Sequence, residues 1–198
     1  MAPSVFEGET FSSLSFSGET IASVRYISCR FRGCDFSECL FTGAQFEACS
    51  FDFCHLNGTR WENCRICNGS FSGSSFFGAS FSGCRCTGTD FSGADVTALS
   101  FSQCRLDYVL LTGCDLRRCD LRGCDLSHAD LSSCNLEKAL LCGCRMHGAV
   151  LRECGLQGAD LRGADTTGCD LKSAHLQKTH LDIRQAAQLA ASLGAIVE

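Results

Sequence analysis

The chain has 198 residues, among them 18 cysteines, 20 glycines and a single proline, and carries a formal net charge of −5. That length suits one ordinary domain or one repeat array, and the mild acidity argues against direct nucleic-acid binding, which normally uses a basic stripe. No apolar run is long enough to span a bilayer and no charged-then-apolar leader opens the chain, so a cytosolic location and no membrane association are expected.

From the N-terminus onward a large apolar residue recurs every five positions. The series begins Phe6, Phe11, Phe16, Ile21, Tyr26 and Phe31, passes through Trp61, Ile66 and Phe101, and closes with Leu171, Leu176 and Leu181. Only Cys86 and Thr166 break its large apolar character. A period of five fits neither a helix nor a strand; held in one register from Phe6 to Leu181, it signals a solenoid. Phe dominates these centres up to Phe101 and Leu dominates after it, which reads as two packing styles in one rod, since no linker composition separates them.

Two residues before each centre lies a second column of small residues, with Glu9, Leu14, Glu19 and Leu99 as exceptions. All cysteines except Cys67, Cys86 and Cys142 fall in it, so cysteine here acts as a small apolar filler. Cys67 and Cys142 are then the thiols expected at the surface. Two residues after the centre, glycine is frequent, as at Gly73 and Gly123, where a tight turn requires positive φ.

The stretch Cys114 to Leu136 states the repeat most plainly, reading CDLRR, CDLRG, CDLSH, ADLSS, CNL. It resembles the A(D/N)LXX motif of the pentapeptide-repeat family. That resemblance implies an all-β solenoid: a right-handed quadrilateral β-helix, each side built from one pentapeptide and each coil from twenty residues. Nearly nine coils at about 4.8 Å each make a rod roughly 40 Å long. Cys64, Cys84, Cys104, Cys124 and Cys144 would form one internal ladder, close enough for disulfides, though a reducing cytosol disfavours them. Thr166 would bring a hydroxyl into the core that needs a hydrogen-bond partner.

After Leu181 the character changes. Asp182 and Gln185 fit a capping box, Ala186, Leu189, Ala190 and Leu193 keep helical spacing, and Gly194 suits a helix terminator. The chain therefore divides into a lead-in (1–5), the β-helix (6–181) and a capping helix with its tail (182–198). Apolar residues remain after the helix, and a solenoid end has to be covered, so end-to-end homodimerisation is expected.

No catalytic constellation emerges. Cys64-Arg65-Ile66-Cys67 has CxxC spacing, but Cys64 belongs to the inward column and Cys67 does not, and no second pair provides zinc-ribbon spacing. The five histidines form no triad with a nucleophile, and no phosphate-binding loop or paired carboxylate is present. A non-enzymatic protein without catalytic, metal or cofactor site is expected. The aspartates before the centres suit local turn bonding.

The ending, Leu181-Asp182, Gln185-Ala186, Leu189, Leu193-Gly194 and Val197, is similar to that of the gyrase-interacting quinolone- and albicidin-resistance group (Qnr, MfpA, AlbG). The resemblance implies a dimer joined through Ile183, Ala186, Leu189, Ala190, Leu193, Ile196 and Val197. It also implies a DNA-mimicking surface for DNA gyrase, for which Asp90, Asp95, Asp115, Asp120, Asp125, Asp130, Asp160, Asp165 and Asp170 are the candidates. Nothing interrupts the repeat, which is closer to MfpA or AlbG than to the loop-bearing Qnr proteins. Whether gyrase is protected or inhibited stays open, as does an interaction scaffold with another cytosolic partner.

Overall fold

The computed structural model describes residues 4–197; Met1, Ala2 and Pro3 of the expected lead-in and Glu198 of the tail lie outside the described residues. The chain winds as a right-handed four-sided β-helix and ends in one α-helix. Its first half carries twelve three-residue strands: β1 (Val5–Glu7), β2 (Thr10–Ser12), β3 (Thr20–Ala22), β4 (Arg25–Ile27), β5 (Arg30–Arg32) and β6 (Leu40–Thr42), then β7 (Gln45–Glu47), β8 (Ser50–Asp52), β9 (Arg60–Glu62), β10 (Arg65–Cys67), β11 (Ser80–Ser82) and β12 (Ser100–Ser102). Helix α1 spans Ile183–Ser192.

Every pairing is parallel and joins residues twenty apart. One column runs Val5, Arg25, Gln45, Arg65, Arg85, Arg105, Asp125, Arg145, Asp165 without a break. The face built on this column is called the first; the second, third and fourth are centred on Phe11, Phe16 and Ile21 and their equivalents. Strands β1, β4, β7 and β10 form the first face, β2, β5 and β8 the second, and β3, β6, β9, β11 and β12 the fourth. The third face is held by single bridges, such as Ser15↔Asp35↔His55↔Ser75↔Asp95.

The centres fill the interior. Phe31, Phe51 and Phe71 stack on one face at centroid separations of 4.6 and 4.8 Å, and Trp61 lies flat between Phe41 and Phe81 at 3.8 and 5.2 Å. Rings on adjacent faces meet edge-on, as Phe71 meets Phe76 at 73°, the offset that the aromatic quadrupole favours. The buried Trp61 indole donates to Thr59 Oγ1, and that hydroxyl donates to Leu56 O.

β12, which holds Phe101, is the last strand; beyond it, up to Asp165, every side is a single bridge at the residue before the centre followed by a tight turn, with Cys114 N–H donating to Leu111 O and Cys124 N–H to Leu121 O, a geometry the Phe-rich half already uses in places, as where Cys39 N–H donates to Phe36 O. The corner residue two after the centre has positive φ from Gly8 to Gly168 and again at Lys178, Ser173 being taken up in a 3-10 turn, and many of these are not glycine: Phe53, Tyr108, His128 and Lys138 are examples. Glycine is required where the corner side chain of one coil leans over the next. At Gly73 a Cβ would stand 2.6 Å from the Phe53 ring, and at Gly148 one would stand 2.8 Å from His128 Nδ1.

A seam interrupts the stack where the two halves meet. On the third and fourth faces Asp95 and Ser100 do not pair with residues twenty further on, although both pair with the coil before. The amides of Val96 and Asp115 make none of the inter-coil backbone bonds that Phe76 and Asp95 make one coil earlier. The first and second faces stay zipped through Arg85↔Arg105↔Asp125 and Asp90↔Leu110↔Asp130. Leu99, buried in the small column where its neighbours are Ala79 and Cys119, supplies the cause: a leucine does not fit a slot shaped for alanine or cysteine, and overpacking pushes the backbone apart. Cys119 Sγ still bridges the gap by donating to Leu99 O at 3.2 Å.

Two substitutions separate these effects. Phe76, with no exposed surface, should lose about 3–5 kcal/mol on truncation to Ala, as large aromatics in cores do. Leu99→Cys, which removes the wedge, should lose less than about 1 kcal/mol; a loss of about 2–5 kcal/mol, usual for a leucine truncated in a core, would show that Leu99 is ordinary packing. Chemical denaturation measures both.

Candidate functional site

The capped end of the rod is built from α1 outward. Asp182 is its N-cap: Gln185 N–H donates to Asp182 Oδ1 and Asp182 N–H donates to Gln185 Oε1, both at 3.0 Å. The second carboxylate oxygen of Asp182 accepts from Gly163 N–H at 2.9 Å. The side-chain amide of buried Gln185 donates to Leu161 O (2.6 Å) and Ala164 O (3.0 Å). One turn later Gln188 Nε2 donates to Thr166 O and Cys169 O, and Gln188 Oε1 accepts the Thr166 hydroxyl at 2.9 Å.

In the body of the rod these carbonyls are satisfied by the next coil: Asp165 N–H reaches Cys144 O, and a small-column thiol reaches the preceding centre, as Cys144 Sγ reaches Leu121 O. At the last coil the two glutamines stand in for the missing neighbour. The partner that Thr166 needed is therefore Gln188. The sequence carried this signal as two glutamines three apart on the helix face that also bears Leu189, but only the capping-box half of it was legible.

The helix divides the expected dimer residues into two groups. Leu189 is half-buried against the rod core and belongs to the cap, and Ala190 is also partly covered. Ile183 (87% exposed), Leu193 (71%), Ile196 (89%) and Val197 (52%) face away from the rod, with Ala186 exposed beside them. An open depression of about 470 Å³ lies where helix and rod meet, lined by Thr166, Thr167, Asp182, Arg184 and Gln188 among others.

The candidate carboxylates spread over all four faces: Asp125 and Asp165 on the first, Asp90, Asp130 and Asp170 on the second, Asp95 and Asp115 on the third, Asp120 and Asp160 on the fourth. All but Asp170 accept a hydrogen bond from the backbone N–H two residues on. Around Asp170 the chain turns into a single 3-10 turn, Leu171–Ser173, which takes the Asp170 carbonyl instead. Asp115, Asp120 and Asp160 are also gripped by the guanidinium of Arg117, Arg122 or Arg162, with the closest contact 2.6 Å in each. These arginine hydrogen bonds hold the three carboxyls below their usual range. Much of the acidic charge is thus matched inside its own loop.

The cysteines are free thiols, all buried except Cys67 and Cys142. Column thiols donate to the carbonyl of the preceding coil's centre, as Cys54 does to Phe31 O and Cys134 to Leu111 O; Thr89 and Ser74 do the same with hydroxyls. The column is therefore a set of small donors as well as filler. Burial pushes the thiols of Cys54, Cys114, Cys144 and Cys154 up to about 12. Cys64 is buried and Cys67 half-buried at the surface. Among the described residues no group of three His, Cys, Asp or Glu is placed to hold a metal, and no helix is long and apolar enough to cross a membrane.

A four-sided solenoid wound in one repeat register and closed by a helical cap is the architecture of a pentapeptide-repeat β-helix. Family models agree: pentapeptide repeats (9 copies) match residues 26–69, the pentapeptide repeat region 54–131, and pentapeptide repeats (8 copies) 129–165. The chain belongs to the pentapeptide-repeat proteins. Among solved structures it is similar to full-length QnrB1, a plasmid-mediated fluoroquinolone resistance protein (TM-score 0.80, 24% identity, 96% of this chain and 100% of that one). It is similar also to HetL of the cyanobacterium Nostoc sp. strain PCC 7120, involved in heterocyst differentiation regulation (TM-score 0.79, 22% identity, 89% and 88%). At these identities the likeness extends to the fold. No curated protein matches the chain in sequence.

The thiol chemistry has two measurable consequences. Native alkylation at pH 8 should modify Cys67 and Cys142 alone, with the remaining cysteines reacting only after unfolding; mass spectrometry reads this directly. Raised thiol values in the folded state mean that stability is intact below the ordinary thiol value of 9.0 and is lost as pH rises from there through about 12. The melting temperature should therefore fall on the alkaline side.

Proposed function

We propose that this protein is a non-enzymatic homodimeric rod that binds DNA gyrase and modulates its inhibition by quinolone or albicidin-type poisons. The observation that carries the reading is the match over the whole of a quinolone-resistance protein by a rod of the same build. It is supported by the apolar residues that α1 leaves facing outward at the capped end, Ile183, Leu193, Ile196 and Val197. Two rods joined there would present a long body of the kind that can lie where a duplex lies.

Mimicry of duplex phosphates would draw mainly on the second face. Asp90 and Asp130 hydrogen-bond Ser92 and Ser132 and have no salt-bridge partner among the described residues, and Asp170 joins them at the next two-coil step. Asp115, Asp120 and Asp160 give their charge to arginines of their own loops. That partial neutralisation favours a second reading, in which the rod is a scaffold for a different protein partner and shape matters more than charge.

Gyrase supercoiling assays with and without quinolone or albicidin distinguish the two. The gyrase reading expects rescue or inhibition at micromolar protein, competed by duplex DNA; no effect under any condition sinks it and leaves the scaffold. For the dimer, Leu193→Asp with Ile196→Asp should halve the mass seen by light scattering without lowering the melting temperature. Leu189→Asp should instead destabilise the cap, by about 2 kcal/mol or more as a charge placed in a partly buried apolar site.

A further inference from the structure

Sorting the surface by columns of twenty brings out a row that the linear sequence hides. On the first face Arg65, Arg85 and Arg105 occupy three successive coils, paired backbone to backbone, and Arg145 follows two coils later. Arg105 lies 4.0 Å from Asp107, and Arg145 lies 4.0 Å from Asp125. These are loose contacts beside the 2.6 Å grips of Arg117, Arg122 and Arg162 on the other faces. Arg65 and Arg85 make no ion pair among the described residues. At the corner bordering this row, exposed Tyr108 stacks on His128 at 4.9 Å, and His147 meets His128 edge-on at 5.4 Å. The corner position one coil before Tyr108 is Gly88, which puts no side chain next to the ring. Arginine and tyrosine exposed on one face and its corner are residue types enriched among those that anchor protein interfaces.

Spacing selects the partner. Successive coils are about 4.8 Å apart, so Arg65 to Arg105 spans about 9.6 Å. An α-helix laid along the rod repeats one face every 5.4 Å, and two turns cover about 10.8 Å. An extended strand returns to the same face about every 6.7 Å and covers about 13.4 Å in two steps. The helix departs from the row by about 1 Å, which flexible arginines absorb; the strand departs by about 4 Å. A single-stranded nucleic acid would meet Asp125 within the row and Asp107 beside it, where the carboxylates repel phosphate. A mixed protein surface can oppose each sign with its own.

We propose that the first face is a docking surface for a partner protein's α-helix that carries carboxylates at one-turn intervals, received by Arg65, Arg85 and Arg105 with Tyr108 as an apolar shoulder. The assignment holds whether or not the partner is a topoisomerase.

Fluorescence anisotropy tests it on the full-length protein. The probe is a stapled helical peptide with glutamates on one stripe. It is compared with a peptide of the same composition whose glutamates are spread around the helix, and with a thymidine oligonucleotide of equal charge. The striped peptide should bind about tenfold or more tighter than the other two, and weaken with salt. Arg85→Glu with Arg105→Glu should abolish that preference, and Arg85→Gln with Arg105→Gln should reduce it if the charge reversal disturbs folding. Arg60→Glu with Arg152→Glu, on the fourth and second faces, should leave it unchanged. Equal binding of the two peptides, insensitivity to Arg85 and Arg105, or a preference for the oligonucleotide would each overturn the proposal.

Discussion

Pairing between residues twenty apart is the interaction on which everything else in this protein depends. A five-residue side cannot bury its own centre or satisfy its own backbone, and each coil does both only through its neighbours. The same step that stacks Phe31 on Phe51 also brings the Cys54 thiol to Phe31 O. Stacking thus fixes side-chain type and side-chain polarity together: large apolar at the centre, small and able to donate two places before it.

A structure made of neighbours has a problem where the neighbours stop, and the last coil solves it without adding a coil. Gln185, Gln188 and Asp182 reproduce with side chains the donors and acceptors of a missing backbone. Because these polar groups are used inward, the helix can keep Ile183 and Leu193 on its outer side. The cap is therefore a terminator toward the rod and an apolar surface toward the outside. The corner aspartates show the reverse economy. They are acidic in the sequence, yet most are committed to turn amides, and three also to arginines. The available charge on the rod is consequently more basic on the first face than the composition suggests.

Most of the fold was legible in the sequence because a strict period in one register signals a solenoid and its motif resembles a family whose coils are four-sided. The centres, the small column and the exposure of Cys67 and Cys142 all follow from position within five, and the capping box from residue type at helix spacing. The site was less legible for a physical reason: contacts form at separations of about twenty, so the surface is read down columns. Arg65, Arg85 and Arg105 look unrelated along the chain and become neighbours only in the stack. The division of labour within α1 was hidden as well. Helical spacing places Leu189 and Leu193 one turn apart, but only the orientation of the helix on the rod sends Leu189 inward and Leu193 out. Leu99 stood out as an oversized residue, though the unzipping it causes on two faces depends on how far its neighbours can yield.

That seam gives the rod a hinge line in an otherwise repetitive lattice. In a linear array each unit is stabilised by the coupling to the next, and here the coupling through two of four sides is missing at a single junction. Disturbances on either side are then free to stop at it, so the Phe-rich and Leu-rich blocks are placed to behave as separate cooperative units, as contiguous foldons do. A bending load or a partner straddling Asp95 and Asp115 would concentrate its strain there, while the first face, zipped through Arg85 and Arg105, acts as the strap that keeps the two blocks in line.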